Sequence, residues 1–122
     1  MSEVSPERKY TQIDQVIARI VETIGREYKP QKIILFGSYA YGRATKDSDV
    51  DLFIIKDTDA RMVDRFVEVK RLIYDPQVRI PVSPLVYTPR ELEERLDMGD
   101  DFVEEIMREG KVVYEEERSR MD

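Results

Sequence analysis

The most regular pattern in the chain is a stripe of branched apolar residues near its beginning. Its members recur at helical intervals and are Ile13, Val16, Ile17, Ile20, Val21 and Ile24. Residues at i, i+3, i+4 and i+7 share one side of a helix, so this spacing predicts a helix with an apolar side that packs into a core. We expect it to end between Gly25 and Pro30, because proline disfavours helical geometry in the residue before it.

Four shorter apolar runs predict strands. KIILF at 32–36 and VDLFII at 50–55 have the length and the branched, apolar composition of strands that are covered on at least one face. We expect a third strand at about 78–87 and a fourth at 111–114, where KVVY would lie at the edge of the sheet. The connection GSYAYGRATKDSD between the first two runs is rich in turn-forming residues.

Three further helices are predicted from spacing and from end signals. Apolar residues in the segment 60–73 approximate helical spacing, and we expect Phe66–Ile73 to face the core. Thr88 is followed by a proline and, three positions after it, by Glu91, which is the capping-box pattern of a helix start. A short amphipathic segment comes next, and Gly110 can end it.

Helix-like and strand-like segments therefore alternate along the whole chain. This alternation predicts a single α/β (α+β) domain with a small mixed sheet of about four strands flanked by helices. We assign the domain to residues 1–114 and expect the charged segment 115–122 to be a flexible tail.

The composition narrows the chemistry that such a domain can perform. Of the 122 residues, 41% are hydrophobic and 38% are charged, which is enough apolar material for one packed core. The net charge of −6 leaves no uniformly basic surface, which argues against nucleic acid as the main ligand. Cysteine and histidine are absent, so thiol nucleophiles, disulfides and a histidine base are excluded. Catalysis must rely on carboxylates, hydroxyls or a hard metal ion.

The chain also lacks the apolar stretches that direct proteins to membranes. No apolar run approaches the ~20 residues of a membrane span. The N-terminal MSEVSPERKY has no apolar signal core. We therefore expect a soluble, cytoplasmic protein without membrane contact.

The segment with the clearest chemical content joins the first two predicted strands. Gly37-Ser38 ends one strand, and Asp49-Val50-Asp51 opens the next after ten intervening residues. Residues i and i+2 of a strand point to the same face, so the carboxylates of Asp49 and Asp51 converge on one side. Paired carboxylates repel one another unless a cation neutralises them, and their hard oxygens select Mg²⁺ or Mn²⁺. The pair predicts magnesium as the cofactor.

The neighbouring glycine and serine suggest which ligand would bind together with the metal. Magnesium held by one or two carboxylates completes its coordination with substrate phosphates and water, which points to a nucleoside triphosphate. Gly37 allows close approach of the backbone to a phosphate, and Ser38, at the start of an expected short helix, offers a hydroxyl and an amide. Either half alone is also compatible with a plain turn or a solvated loop. Acidic residues are poor strand formers, however, so their position beside a Gly-Ser turn favours a site.

The stretch LFGSYAYGRATKDSDVDLFII resembles the nucleotidyltransferase signature of the DNA polymerase β-like superfamily, in which a Gly-Ser turn precedes an Asp-x-Asp pair. The small size and the later VYTPRELEER…GKVVYE pattern are similar to the minimal nucleotidyltransferases (MNT proteins), and the resemblance covers residues 12–114. It implies a palm-like nucleotidyltransferase fold. It also implies that Gly37 and Ser38 hold the triphosphate and that Asp49 and Asp51 are catalytic and bind the metal.

Two positions depart from the family pattern. The family commonly has Ala-Arg-Gly after Gly-Ser-x, whereas this chain has Ala40-Tyr41-Gly42-Arg43, so the arginine's contact with the nucleotide is lost or passes to Arg43. The family's third carboxylate, on a neighbouring strand, would stand six residues before the helix-starting proline, at Ser83. A serine hydroxyl is a poor base, and loss of a positioned base costs about 10²–10⁴-fold in rate. Ser83 therefore occupies this catalytic position, with Asp75 or Glu91 as spatial substitutes for the missing carboxylate.

The resemblance implies an Mg²⁺-dependent enzyme that transfers AMP from ATP to a hydroxyl and releases pyrophosphate. Proteins of this family usually pair with a helical HEPN ribonuclease toxin and act as antitoxins by adding AMP to one of its tyrosines, which implies a protein substrate and a homo- or hetero-oligomer. Two alternatives stay open. One is transfer to a small molecule, and the other, because of Ser83, is a catalytically weakened antitoxin that binds nucleotide and neutralises its partner by binding.

Overall fold

The computed structural model of the chain describes residues 5–117, and the side chains of residues 14–117. This part of the chain contains four helices and four strands. In chain order they are α1 (Ser5–Glu27), β1 (Lys32–Phe36), β2 (Val50–Ile55), α2 (Met62–Leu72), β3 (Val82–Tyr87), α3 (Pro89–Asp97), α4 (Asp101–Glu109) and β4 (Lys111–Glu115). The side chain of Ile13 and residues 118–122 of the predicted tail lie outside the described part.

The strands form one mixed sheet in the order β3-β2-β1-β4. β1 is antiparallel to both β2 and β4, whereas β2 and β3 run parallel. The end of β1 and the beginnings of β2 and β3 therefore meet at the same end of the sheet. The predicted mixed sheet of four strands flanked by helices is confirmed, and it brings the Gly37-Ser38 turn next to the start of β2.

Helices cover both faces of the sheet. On one face, α1 and α2 pack against Leu52 and Ile54 of β2. On the other face, α4 packs against Phe53 and Ile55. Side chains alternate along a strand, so the face under α4 also carries Asp51. The predicted stripe of α1 is buried in the first layer through Ile17, Ile20, Val21 and Ile24, and each such side chain contributes roughly 1.5–3 kcal/mol when fully buried.

Helix α2 buries a different side from the one that its pattern predicts. Phe66, expected in the core, is 43% exposed, whereas Arg65 is buried. The Nη1 group of Arg65 donates to the carbonyl oxygen of Val86 at 3.1 Å and to Glu91 Oε1 at 2.8 Å. A buried cation is tolerated because it is paired and hydrogen-bonded. Periodicity does not reveal this arrangement, because a charged residue in a helix pattern is read as exposed.

Strand β3, which carries Ser83, is held along its outer side by α2. Lys70 Nζ donates to the carbonyl oxygen of Val82 at 2.8 Å, and Arg65 binds the carbonyl of Val86. These two bonds satisfy acceptors at both ends of an edge strand that would otherwise face solvent. The position of Ser83 thus depends on packing between α2 and β3.

Two strand boundaries differ from the prediction. β3 begins at Val82 rather than near residue 78, because Asp75 Oδ1 accepts a hydrogen bond from the Gln77 amide at 2.9 Å and closes a turn. β4 lies at the edge of the sheet, as predicted, but extends to Glu115. The Glu115 carboxylate lies 3.5 Å from Lys32 Nζ of β1, so this residue belongs to the sheet and not to a tail.

The predicted helix ends are confirmed where capping chemistry marked them. Thr88 Oγ1 accepts a hydrogen bond from the Glu91 amide at 3.1 Å, and Glu91 Oε1 accepts one from the Thr88 amide at 2.9 Å. Helix α1 ends at Glu27, and α4 ends before Gly110. None of the helices within the described range is long and apolar enough to cross a membrane.

Candidate active site

Three residues lie side by side across the end of the sheet. Asp51 pairs with Phe36 of β1 on one side and with Ser83 of β3 on the other. Paired residues on neighbouring strands point to the same face, so Phe36, Asp51 and Ser83 form a row, called here the sheet-end row. Phe36 and Asp51 are partly buried and Ser83 is exposed. The row is therefore open to solvent on its β3 side.

The acidic pair sits at the centre of this end of the sheet. Asp49 immediately precedes β2 and is exposed, whereas Asp51 is partly buried. Burial, and secondly the negative charge of Asp49, raise the pKa of Asp51 above its ordinary value. The charge of Asp49 therefore reaches the carboxylate of Asp51. A cation bound between them would relieve this repulsion.

Ser83 occupies the position next to Asp51 at which the family resemblance places a third carboxylate. Within the described residues, no cluster of three or more His, Cys, Asp or Glu side chains is suited to hold a metal. Glu91 does not substitute, because it is bonded to Arg65 beyond the opposite end of β3. Asp75 Oδ1 accepts the Gln77 amide in the turn after α2, and substitution by Asp75 stays a prediction. The donor set is therefore the two carboxylates of Asp49 and Asp51, whose hard oxygens fit Mg²⁺ completed by phosphate and water oxygens.

Gly37 is required at its position by the backbone and by the carboxylate beside it. Its φ of +78° lies in the left-handed region that favours glycine. A Cβ atom at this position would overlap Asp51 Oδ2 and lie 3.1 Å from Asp51 Cγ. The absence of a side chain at Gly37 thus lets the turn and the acidic pair approach one another directly.

The segment after Gly37 is a hydrogen-bonded turn and not the short helix that the sequence predicts at Ser38. The Gly37 carbonyl accepts a bond from the Tyr41 amide at 3.1 Å, and the Ser38 carbonyl accepts one from the Arg43 amide at 2.9 Å. Gly42, with φ of +72°, leaves the helical region before a helix develops. The turn still begins directly beside Asp51 at the acidic end of the sheet.

This turn has free donors for an anion. Among the hydrogen bonds of the described residues, none uses the amide of Ser38 or Tyr39 as a donor. Tyr41, which stands where the family has arginine, is partly buried against the core under α1. The backbone of Arg43 is tied to the turn by its amide bond to the Ser38 carbonyl, and its side chain is exposed. A contact of Arg43 with the nucleotide in place of the family's arginine stays a prediction.

Sequence reasoning missed the aromatic side of the site. The rings of Phe36 and Phe102 meet edge to face, with centroids 5.8 Å apart and planes at 80°. The position of Phe36 directly before Gly37 is the one sequence feature that could have indicated its place in the site. The strand register that sets it beside Asp51 is a property of the tertiary structure. Phe102 is separated from the motif by about half the chain, and no local pattern connects them.

Comparison with known proteins supports the same chemistry. A family model described as "Nucleotidyltransferase domain" matches residues 17–114. "Putative protein adenylyltransferase MJ1305" of Methanocaldococcus jannaschii is 36% identical over 86 residues, which cover 68% of this chain and 57% of that protein. The chain thus spans little more than half of the length of this relative. "Putative protein adenylyltransferase MJ0604" of the same organism is 28% identical over 103 residues, covering 83% of this chain and 97% of that protein.

A solved structure agrees with the fold. The chain matches a crystal structure described as that of "a putative nucleotidyltransferase from Sulfolobus solfataricus" with a TM-score of 0.60 and 19% sequence identity. The match covers 96% of this chain and 95% of that chain. At this level of identity the comparison supports the architecture alone.

Proposed function

Because the chain belongs to the nucleotidyltransferase domain family, we propose that it is an Mg²⁺-dependent adenylyltransferase that moves AMP from ATP to a hydroxyl group of a partner protein. The observation that carries this proposal is the meeting of the Gly37 turn with Asp51 at one end of the sheet, with Asp49 acting on the same carboxylate. A phosphate-binding turn and a pair of metal-binding carboxylates are the two parts that such a transfer requires.

Each residue of the site has a distinct task in this proposal. Asp49 and Asp51 hold the metal, which when bound supplies positive charge to the triphosphate and lowers the pKa of the acceptor hydroxyl. The free amides of Ser38 and Tyr39, together with the Ser38 hydroxyl, donate to the phosphate oxygens that leave as pyrophosphate. The guanidinium group of Arg43 adds a positive charge that attracts the anionic triphosphate.

The transfer exchanges one bond at the α-phosphorus for another. The acceptor oxygen forms a bond to the α-phosphorus, and the bond from the α-phosphorus to the bridging oxygen breaks. Pyrophosphate leaves with the bonding electrons, and the acceptor hydroxyl releases its proton. Ser83 stands where a third carboxylate would accept that proton. Because a serine hydroxyl does this poorly, the proton passes to solvent and the transfer is slow.

We propose that the acceptor is a tyrosine of a HEPN-family toxin and that the chain acts as the antitoxin. The family resemblance supports this partner, and the names of the two archaeal relatives describe protein adenylyltransferases. The net charge of −6 argues against a nucleic-acid acceptor. Binding to that partner would make the working form a hetero-oligomer.

Ser83 favours a second candidate function, in which the chain binds nucleotide and neutralises its partner without transferring AMP. The serine lies in register with Asp51, at the position of the missing base. The two functions share the nucleotide site and differ in whether the partner becomes covalently modified. Mass analysis of the partner after incubation with Mg²⁺ and ATP separates them.

The decisive experiment removes the charge of the acidic pair. The Asp49→Asn/Asp51→Asn double variant is compared with the parent and with Asp47→Asn, an exposed aspartate of the same connection. We expect the parent and the control to bind Mg²⁺–ATP in calorimetry and the double variant to lose binding by tenfold or more, because the metal loses its charged ligands. If the double variant binds Mg²⁺–ATP as tightly as the parent does, the site is elsewhere.

A further inference from the structure

An aromatic pair borders the sheet-end row on its β1 side. Phe36 belongs to the row and directly precedes Gly37, and its ring and that of Phe102 pack edge to face. Phe102 lies in the first turn of α4 and is 53% exposed, although Val103 and Ile106 of the same helix are buried. The contact with Phe36 therefore accounts for only part of the Phe102 side chain, and the rest faces solvent.

The proposed reaction determines what each side of Asp51 receives. In-line displacement places the acceptor oxygen and the leaving pyrophosphate on opposite sides of the α-phosphorus. The turn at Gly37-Ser38 receives the pyrophosphate, and the exposed Ser83 side receives the acceptor. The nucleoside is the remaining substituent, and it projects from that line away from the carboxylates. The aromatic pair lies on the same sheet face as Asp51, since Phe36 pairs with Asp51 and α4 packs on that face.

We propose that Phe102 binds the nucleobase of the donor nucleotide through the exposed part of its ring, while Phe36 holds that ring in place. The inference rests on the proposed function, because it requires a nucleoside triphosphate at the Gly37-Ser38 turn. Stacking on an aromatic ring accepts any base, since every base has a π face. Purines overlap a ring more than pyrimidines do, so the site prefers ATP and GTP to CTP and UTP.

The test separates the nucleoside from the phosphates. Binding of Mg²⁺–ATP and of Mg²⁺–tripolyphosphate is measured by calorimetry for the parent, for Phe102→Ala and for Phe66→Ala. Phe66 is a matched control, because it is 43% exposed and lies on α2, which packs on the opposite face of the sheet. We expect Phe102→Ala to weaken ATP binding by roughly 5- to 100-fold and to leave tripolyphosphate binding unchanged. Phe66→Ala should change neither.

Further variants and outcomes make the test decisive. Phe102→Tyr should keep ATP affinity, and Phe102→Leu should lose most of it while preserving an apolar contact with Phe36; thermal melts establish that each variant is folded. Unchanged ATP affinity in Phe102→Ala, or equal loss for ATP and tripolyphosphate, would overturn the role of Phe102 and leave the proposed function intact. The same holds if the parent binds tripolyphosphate as tightly as ATP. A parent that binds neither ligand would overturn the proposed function, and the inference with it.

Discussion

Replacement of Ser83 by aspartate should restore the carboxylate that the family pattern leads one to expect. Ser83 pairs with Asp51 in the parallel ladder between β2 and β3. Neighbouring strands lie about 4.8 Å apart, so a carboxylate at this position is within reach of a cation held by Asp49 and Asp51. Because Ser83 is exposed, the new charge stays solvated and its introduction does not require a rearrangement of the core.

The expected gain is in the rate of transfer. A positioned general base contributes about 10²–10⁴-fold, which corresponds to roughly 2.7–5.4 kcal/mol in the activation free energy. We expect Ser83→Asp to accelerate AMP transfer by about 10²-fold or more. Affinity for Mg²⁺–ATP should change far less, because the Gly37-Ser38 turn and the existing acidic pair already hold the phosphates.

The same substitution should lower stability when no metal is present. Burial and the charge of Asp49 already raise the pKa of Asp51. A further unit charge about 5 Å away adds a repulsion of roughly 0.8 kcal/mol in water and about 3 kcal/mol at an effective dielectric constant of 20. The free energy of unfolding of Ser83→Asp should fall within this interval at low salt, and Mg²⁺ should restore it. Ser83→Asn has a similar shape without the charge and should show neither effect.

The assay is transfer of labelled AMP to the co-purified partner, with urea unfolding of each variant in the presence and absence of Mg²⁺. Rapid transfer by the parent would show that another group accepts the proton. The same conclusion would follow if Ser83→Asp were no faster than the parent. An equal gain in Ser83→Asn would show that the carboxylate is not the cause of the acceleration.

Two further substitutions test the packing around the site. Gly37→Ala should lower the free energy of unfolding by about 1–3 kcal/mol and weaken Mg²⁺–ATP binding, because a Cβ at positive φ would overlap Asp51 Oδ2; unchanged urea midpoints and affinity would contradict this. Glu91→Gln should lower the free energy of unfolding by about 1–2 kcal/mol near pH 7, because Arg65 loses its charged partner; the loss is limited because the Glu91 side chain is 35% exposed. The control Glu94→Gln, at an exposed ion pair, should lower it by less than about 0.5 kcal/mol. The hydrogen bond from Arg65 lowers the pKa of Glu91, so this difference is complete above the ordinary glutamate pKa of about 4.3 and is lost as the pH falls through the lower native value. Urea unfolding of Glu91→Gln and the parent above and below these two pKa values measures the difference in stability. A difference that does not change with pH would refute the role of the charge.

Features encoded by neighbouring residues were predictable from the sequence. The alternation in β2 predicted that Leu52 and Ile54 face away from Asp51, and both lie in the core under α1 and α2; the shared side of Asp49 and Asp51 stays a prediction. The capping box at Thr88 marked the start of α3. Each of these follows from dihedral preferences and hydrogen bonds within a few residues, which do not depend on the rest of the chain.

The location of Ser83 is an intermediate case. Family resemblance and the proline at the start of α3 predict its position along the chain, and the structure places it in register with Asp51. Its catalytic role stays a prediction. β3 itself begins several residues later than its pattern predicts, because the Asp75 carboxylate accepts a hydrogen bond from the Gln77 amide and closes a turn just before the predicted start of the strand.

Only the tertiary structure decided which distant residues meet. The Arg65 guanidinium is buried through bonds to Glu91 and Val86, which are more than twenty residues away, so α2 turns its apolar Phe66 toward solvent. Phe102 reaches Phe36 because α4 packs on the same sheet face as Asp51. Hydrophobic periodicity reports the preferred environment of each residue but not its partner. Strand register and helix docking, which arise from packing of the whole domain, select the partners and so complete the site.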